Sequence, residues 1–165
     1  MTTTIAGVEL RPLLVPSHID AADADEFVAM TEVRNRIYRE ISGHDDNAMT
    51  PAELLPHFQP DVYNEKFAWL IVVDGRIVGR VNVDLPTEDG SRVAYWGVEL
   101  LREAQGRGLG SHAYALVEDT ARWHGRTVLQ SWAEHNEGPG ERLVPPTGFG
   151  SVPAPTFKLA SNSPM

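Results

Sequence analysis

The 165-residue sequence contains no cysteine and has few basic residues. The absence of cysteine excludes disulfides and thiolate metal sites, and no metal centre is expected. Fourteen Lys and Arg residues stand against 23 Asp and Glu residues, which gives a formal net charge of −9. Because this charge repels a phosphate backbone, nucleic acid is not an expected partner, and a neutral or cationic small substrate fits the charge better.

Long apolar runs are also absent, and none approaches the roughly 18 residues of a membrane span. The start, MTTTIAGVELRPLL, lacks the basic region and apolar core of a secretion signal. We therefore expect a cytoplasmic protein without a membrane partner. The length favours one domain over residues 1–135. Residues 136–165 hold six of the twelve prolines, which indicates a Pro/Gly-rich loop or tail, or a shortened end of the domain.

The first third of the chain predicts one strand and two helices. Residues 8–15 are typical of an edge strand, because an edge is where proline, here Pro12, is tolerated best. Apolar residues recur at helical intervals over 23–42, and Gly43 follows as a stop signal. The tetrapeptide Thr50-Pro51-Ala52-Glu53 is a capping box with proline at the first helical position, which predicts a short helix over 51–58.

The next part predicts an antiparallel meander followed by a βαβ unit. The predicted elements are strands over 67–73, 76–85, 92–101 and 127–132 and a helix over 111–124. Asp74-Gly75 between the first two strands suits a type I′ hairpin turn. The first three strands are joined by short turns and must be antiparallel, whereas the helical crossover makes the last pair parallel. The fold class is therefore α/β, with a mixed α+β sheet.

The segment QGRGLGSHA (residues 105–113) places three glycines at every second position between a strand and a helix. A helix N-terminus offers unpaired backbone N–H groups and a partial positive charge, both of which stabilise an anion. Glycines before the helix let the backbone curl around a phosphate. The segment predicts a phosphate cradle, with a tight turn that binds no ligand as the alternative.

Two phosphate-binding motifs match this segment poorly. The nucleotide-hydrolysing P-loop requires Lys-Ser or Lys-Thr, whereas Ser111-His112 follows Gly110. The dinucleotide motif G-x-G-x-x-A is matched at Gly108, Gly110 and Ala113, with Glu134 lying 26 residues after Gly108. That motif expects parallel strands, however, and the strands before this loop form an antiparallel meander. An NAD-binding domain therefore stays a distant alternative.

Gln105, Gly108 and Gly110, together with the order of elements, resemble the GCN5-related N-acetyltransferase (GNAT) family. Its signature is Gln or Arg, two residues, Gly, one residue, then Gly or Ala. The resemblance runs from Val8 to Trp132, about four-fifths of the chain. The later segment ERLVPPTGFGSVPAP is similar in layout to loops of actinobacterial small-molecule members, including double-domain ones.

The resemblance implies that acetyl-CoA is the cofactor and that a carboxylate acts as general base. The implied pyrophosphate-binding residues are Gln105, Gly106, Arg107, Gly108, Leu109, Gly110 and Ser111. The backbone of Val98 and Leu100 is implied to bind the pantetheine arm, with the Leu100 N–H polarising the thioester carbonyl. The candidate bases are Glu99, Asp84 and Glu134. Strict alternation turns Glu99 away from Val98 and Leu100 unless a bulge at Gly97 shifts the register.

The implied activity is transfer of acetyl to a primary amine of a small molecule. Asp45 and Asp46 lie where this family forms part of its acceptor pocket, and they are expected to attract a cationic amine. Family members commonly use a late tyrosine as general acid, but no tyrosine follows Tyr114 here, and only residues 156–160 resemble the start of the usual last helix. A non-catalytic acyl-CoA-binding module and one half of a double-domain enzyme therefore stay open. A homodimer is compatible with either.

Overall fold

The computed structural model describes residues 5–131 and the backbone of a final strand at residues 156–158. In chain order the helices and strands are β1 Val8–Pro12, α1 Asp25–Ser42, α2 Pro51–Leu54, β2 Asn64–Val73, β3 Arg76–Pro86, β4 Val93–Leu100, α3 Leu109–Trp123, β5 Val128–Ser131 and β6 Thr156–Lys158. The strands form one sheet in the order of the chain. Only the β4–β5 pair is parallel, so the predicted mixed sheet, meander and βαβ unit are confirmed.

Local signals in the sequence set several of the element boundaries. Thr50 and Glu53 form both hydrogen bonds of the predicted capping box, at 2.8 and 3.2 Å. Gly43 ends α1 with φ 82°, and its N–H donates to the Arg39 carbonyl. Asp74 and Gly75 have φ of 50° and 81°, as a type I′ turn requires. These predictions are confirmed because each depends on residues close together in the chain.

The helices cover both faces of the sheet, which creates two apolar layers. On one face, α3 packs through residues such as Val117 against Val81 and Val83, both fully buried. On the other face, Phe27 and Met30 of α1 pack with Leu54 of α2 and with residues of β2. The second face also holds the polar residues that alternate with the buried valines of β3, and it is this face that carries the cavity described below.

The register between β3 and β4 is unbroken from Gly79–Leu100 to Asp84–Tyr95. There is consequently no bulge at Gly97, and Glu99 faces the opposite side of the sheet from Val98 and Leu100, as strict alternation predicts. The register does shift between β2 and β3, where Ile71 pairs with Gly79 but the next residue, Val72, pairs with Ile77.

The last strand, β6, lies in a region that the sequence predicts to be loop or tail. Thr156–Lys158 pairs antiparallel with β5, in the place where the family resemblance suggests the start of a helix. Pairing satisfies the backbone groups on the outer edge of β5, which would otherwise be exposed. The sheet thus takes strands from both sides of the predicted boundary at residue 135.

Replacing Gly79 by alanine is expected to destabilise the protein by about 1–3 kcal/mol. A Cβ at this position would overlap the Glu99 carbonyl oxygen and lie 2.8 Å from Cδ2 of Leu100. This overlap outweighs the roughly 0.5–1 kcal/mol that alanine normally gains over glycine within a strand. Urea unfolding measures the change.

The matched control is Gly97→Ala on the neighbouring strand. The Cβ of that variant would lie 2.8 Å from Oδ1 of Asn82, which is a side-chain atom that can move aside. We expect a smaller loss there. Equal unfolding midpoints for Gly79→Ala and the unmodified chain would contradict the close approach of β3 and β4 at Gly79.

Candidate functional site

The glycine-rich loop is held between buried anchors on either side. Leu101 and Ala104 before the loop and Leu109 after it are all buried. The loop is also tied to the end of α1, because the Arg102 N–H donates to a carboxylate oxygen of Glu40 at 2.9 Å. The backbone between these anchors is therefore presented to solvent in a fixed conformation.

The loop presents a row of free backbone N–H groups. The first hydrogen bond of α3 runs from the His112 N–H to the Gly108 carbonyl at 3.0 Å, and no side chain caps the helix. Within residues 5–131, no acceptor receives the N–H groups of residues 106–111. The Arg107 side chain is exposed and has no ion-pair partner in the same part of the chain. Together these groups have the free donors and the positive charge that an anion-binding site would need.

Backbone conformation requires two of the three glycines in the loop, but not the third. Gly106 and Gly108 have φ of 77° and 79°, so the backbone itself requires glycine there. Gly110 lies inside α3, and a Cβ there would make only an ordinary contact, 3.9 Å from Cδ1 of Leu100. No contact within the described residues explains this glycine. The missing side chain keeps the surface of the first turn of α3 open, close in the chain to the free N–H groups, and such a surface would suit a bound phosphate.

Within residues 5–131, the end of β4 has an edge without a partner strand, and this edge leads into the loop. The Leu101 N–H donates to Val78 of β3, so alternation directs the N–H groups of Val98 and Leu100 to the other edge, towards β5. Among the described residues, the pairing of β5 with β4 ends at Trp96 and Ser131. On that edge, Nε2 of Gln105 donates to the Leu100 carbonyl at 3.2 Å and joins the strand to the loop. The predicted residues Val98, Leu100 and 105–111 thus line one continuous strip.

The Glu99 carboxylate accepts two hydrogen bonds on the face of the sheet opposite to Val98 and Leu100. It accepts one from Nε of Arg80 at 2.6 Å and another from the hydroxyl of Tyr38 at 3.1 Å. Burial, together with the negative charge of Glu99, raises the pKa of Tyr38, which keeps the hydroxyl protonated as a donor. Both carboxylate oxygens of Glu99 are therefore occupied, an arrangement that suits an anchoring role better than that of a free base.

Asp84 lies on the same face and lines a cavity of about 340 Å³ beneath α1 and α2. Burial raises the pKa of the Asp84 carboxyl, and the nearby Lys66 ammonium opposes this shift only in part. Within residues 5–131, no hydrogen bond or ion pair engages this carboxylate. Of the two predicted bases that the structure describes, Glu99 and Asp84, it is Asp84 that has a free carboxylate of raised pKa, as a proton acceptor needs.

The acidic pair Asp45 and Asp46 does not line this cavity. Asp45 forms an ion pair with Arg39, and Asp46 lies 3.4 Å from Nδ1 of His44, with both carboxylates largely exposed. The structure therefore does not place them in an acceptor pocket, because the loop that carries them faces solvent. Glu134, the third candidate base, lies outside the described residues.

The cavity is lined by three cations that the sequence did not predict as site residues, Arg34, Arg80 and Lys66. A signal for Arg34 was present, since it occupies a core position of α1 between the buried residues Met30 and Ile37. Arg80 and Lys66 lie on strands, on the face where the alternating pattern places polar residues. No comparable signal showed that a cavity opens there.

The described residues were also compared with the requirements of a metal site and of a membrane span. Over the residues that the structure describes, no three His, Asp or Glu side chains are close enough together to hold a metal ion. The same residues include no helix with the length and hydrophobicity needed to cross a membrane.

Comparisons with known proteins agree with this arrangement. The model of the Acetyltransferase (GNAT) family matches residues 27–139. A comparison with curated proteins gave no match. In structure, the chain is similar to a tandem GNAT protein from the clavulanic acid biosynthesis pathway, with a TM-score of 0.57 and 21% identity. That similarity covers 82% of this chain but only 41% of the tandem protein.

Two other solved structures are similar to the chain. One is the PaiA N-acetyltransferase from Thermoplasma acidophilum in complex with coenzyme A, with a TM-score of 0.65, 12% identity and coverage of 86% of this chain and 89% of that one. The other is YncA from Salmonella typhimurium with its cofactor acetyl-CoA, with a TM-score of 0.54, 20% identity and coverage of 76% and 69%. At these identities the similarity establishes the fold.

Proposed function

The chain belongs to the GNAT acetyltransferase family, and from this premise we propose that it transfers an acetyl group from acetyl-CoA to a primary amine of a small molecule. The observation that carries the proposal is the continuous strip formed by the open edge of β4 and the free N–H groups of the glycine loop. A pyrophosphate and an extended amide-containing arm need this combination, whereas a plain strand-to-helix turn does not.

The loop supplies the groups that would hold the pyrophosphate. The N–H groups of residues 106–111 and the guanidinium of Arg107 are free within residues 5–131, and the missing side chain at Gly110 lets a phosphate approach them. The N–H groups of Val98 and Leu100 are directed to the edge where an extended arm would lie.

Bound acetyl-CoA supplies the acetyl group as a thioester, which a neutral amine attacks at the carbonyl carbon. As the C–N bond forms and the C–S bond breaks, coenzyme A leaves as a thiolate and the amine loses a proton. We assign Asp84 as the acceptor of that proton, directly or through water. Gly97 lies on the cavity face of β4 beside Asn82 and has no side chain. The side chain of Asn82 covers Gly97, since its Oδ1 lies 2.8 Å from where a Cβ of Gly97 would be, and Asn82 lines the cavity together with Asp84.

Calorimetric titration and a thiol-release assay test the proposal. We expect the full chain to bind coenzyme A and acetyl-CoA but not NAD, and to release thiol from acetyl-CoA when a suitable primary amine is added. Coenzyme A binding without thiol release across a broad panel of amines would indicate a non-catalytic acyl-CoA-binding module. Binding of NAD in place of coenzyme A would overturn the assignment of the loop.

A further inference from the structure

One cation of the cavity, Arg34, is buried with no counter-ion among residues 5–131. The residue is only 8% exposed, and its guanidinium lies 4.0 Å from the ring centre of Tyr38. Its Nη1 donates to the Asn47 carbonyl and, at 3.0 Å, to Oδ1 of Asn35. Both partners are neutral. Nε of Arg34 is buried without a hydrogen-bond partner, and within residues 5–131 no carboxylate pairs with this guanidinium.

The other two cations that line the cavity are already paired. Arg80 forms an ion pair with Glu99 at 2.6 Å, and Lys66 forms one with Asp61 at 2.8 Å. Among the lining Asp, Lys and Arg side chains, Arg34 and Asp84 are therefore the two without an ion-pair partner in the described part of the chain. Burying an unpaired charge is costly in free energy. A ligand that binds to both Arg34 and Asp84 is the best explanation for two unpaired charges of opposite sign at one cavity.

We propose that the acceptor is a primary amine that also carries a carboxylate, with the carboxylate bound at Arg34 and the amine at Asp84. This inference rests on the proposed function and specifies its substrate class. A guanidinium offers a planar set of donors that matches a carboxylate. The unpaired cation, Arg34, and the unpaired anion, Asp84, are complementary to the carboxylate and the ammonium group of a zwitterion. A phosphorylated amine would carry more negative charge than the one guanidinium balances.

The rest of the cavity defines the side chain of this acceptor. Its volume of about 340 Å³ is near the lower end of the range for ligand sites, roughly 300–1,000 Å³, which suits a small metabolite. Apolar side chains, among them Leu13, Val15, Met49 and Phe58, line much of the remaining wall. We therefore expect an amino acid with an apolar side chain rather than a polyamine or an aminosugar.

Matched pairs of compounds test this class. Leucine is compared with 3-methylbutylamine and phenylalanine with phenethylamine, since each pair differs only in the carboxylate. For the unmodified chain we expect kcat/KM in thiol release from acetyl-CoA to be at least tenfold higher for the amino acid of each pair. Calorimetric binding in the presence of coenzyme A is expected to show the same preference without depending on turnover.

Variants of α1 locate the carboxylate. Arg34→Gln is expected to raise KM for phenylalanine at least tenfold and to change kcat/KM for phenethylamine less than threefold, while Arg34→Lys keeps part of the preference. The control is Arg36→Gln on the same helix, because Arg36 pairs with Glu40 and Glu103 and does not line the cavity. The preference of the unmodified chain is measured first, so the substrate class is tested even if a variant fails to fold.

The outcomes separate this inference from the proposed function. Turnover of the simple amines at rates equal to or above those of the amino acids would overturn the carboxylate at Arg34 and leave the acetyltransferase in place. Selective binding of the amino acids without thiol release would support the ligand class and refute the transfer reaction. An equal effect of Arg34→Gln on both members of a pair would also overturn the inference, because a carboxylate contact affects only one of them.

Discussion

Replacing Asp84 by asparagine is expected to lower kcat/KM for acetyl transfer by about 10²- to 10⁴-fold, the range typical of a lost general base. Asparagine keeps the shape of the side chain but cannot accept the amine proton. In the unmodified protein, kcat/KM is expected to rise with pH as Asp84 ionises, and burial places that step above the ordinary pKa of an aspartate. In Asp84→Asn this rise is lost. Steady-state thiol release across a pH series measures both effects.

The same substitution is expected to leave the melting temperature unchanged or to raise it. Because the pKa of Asp84 is higher in the folded protein than in the unfolded chain, its contribution favours folding at low pH. That contribution is lost as the pH rises through the folded pKa, so the charged side chain opposes folding at neutral pH. Asparagine removes this charge. Asp89→Asn, at an exposed turn position, is the control for both readouts.

Glu99→Gln distinguishes the two carboxylates on this face. Glutamine weakens the charge-assisted hydrogen bond from Arg80, which is expected to cost about 1.5–3 kcal/mol of stability. The two variants should thus change stability in opposite directions, with the larger loss of kcat/KM in Asp84→Asn. If Glu99→Gln abolishes the rate while Asp84→Asn retains it within threefold, Glu99 is the base and the assignment of Asp84 is wrong.

Replacing Gly110 by aspartate is expected to weaken coenzyme A binding at least tenfold. The new carboxylate would lie at the start of α3, in the space in front of the free N–H groups, where it repels a phosphate. Two unit charges about 4 Å apart repel by roughly 1–4 kcal/mol between the dielectric limits of water and a protein surface, and each 1.4 kcal/mol is a factor of ten. Calorimetric titration with coenzyme A measures the change.

Stability is expected to respond to Gly110→Asp in the opposite sense to binding. An acidic residue in the first turn of a helix is favourable by about 0.3–1 kcal/mol, and the position has room for a side chain. The ligand-free protein should therefore melt at the same temperature or higher. Gly110→Asn, with the same shape and no charge, is the matched control. Equal affinities of all three proteins for coenzyme A would show that the phosphate does not bind at this helix.

Much of this molecule follows from signals between residues that are close in the sequence. Asp74-Gly75 dictates its hairpin, and Gly106 and Gly108 have the positive φ that the loop requires. The alternation along β4 correctly predicts that Glu99 and Val98 face opposite sides of the sheet. Alternation cannot predict which residue contacts a side chain on a given face of the sheet, because that residue comes from a different part of the chain.

The sequence by itself determined the fold class, the order of strands β2 to β5 and the position of the glycine-rich loop before α3, because each depends on local backbone conformation and hydrophobic period. Only the tertiary structure decided which charges are paired. Glu99 contacts Arg80, 19 residues earlier, as its neighbour across the β3–β4 pair, and Tyr38, 61 residues earlier, because α1 covers the sheet. Within residues 5–131, these contacts occupy Glu99 and leave Arg34 and Asp84 without an ion-pair partner at one cavity, since the energy of a charge depends on its neighbours in space.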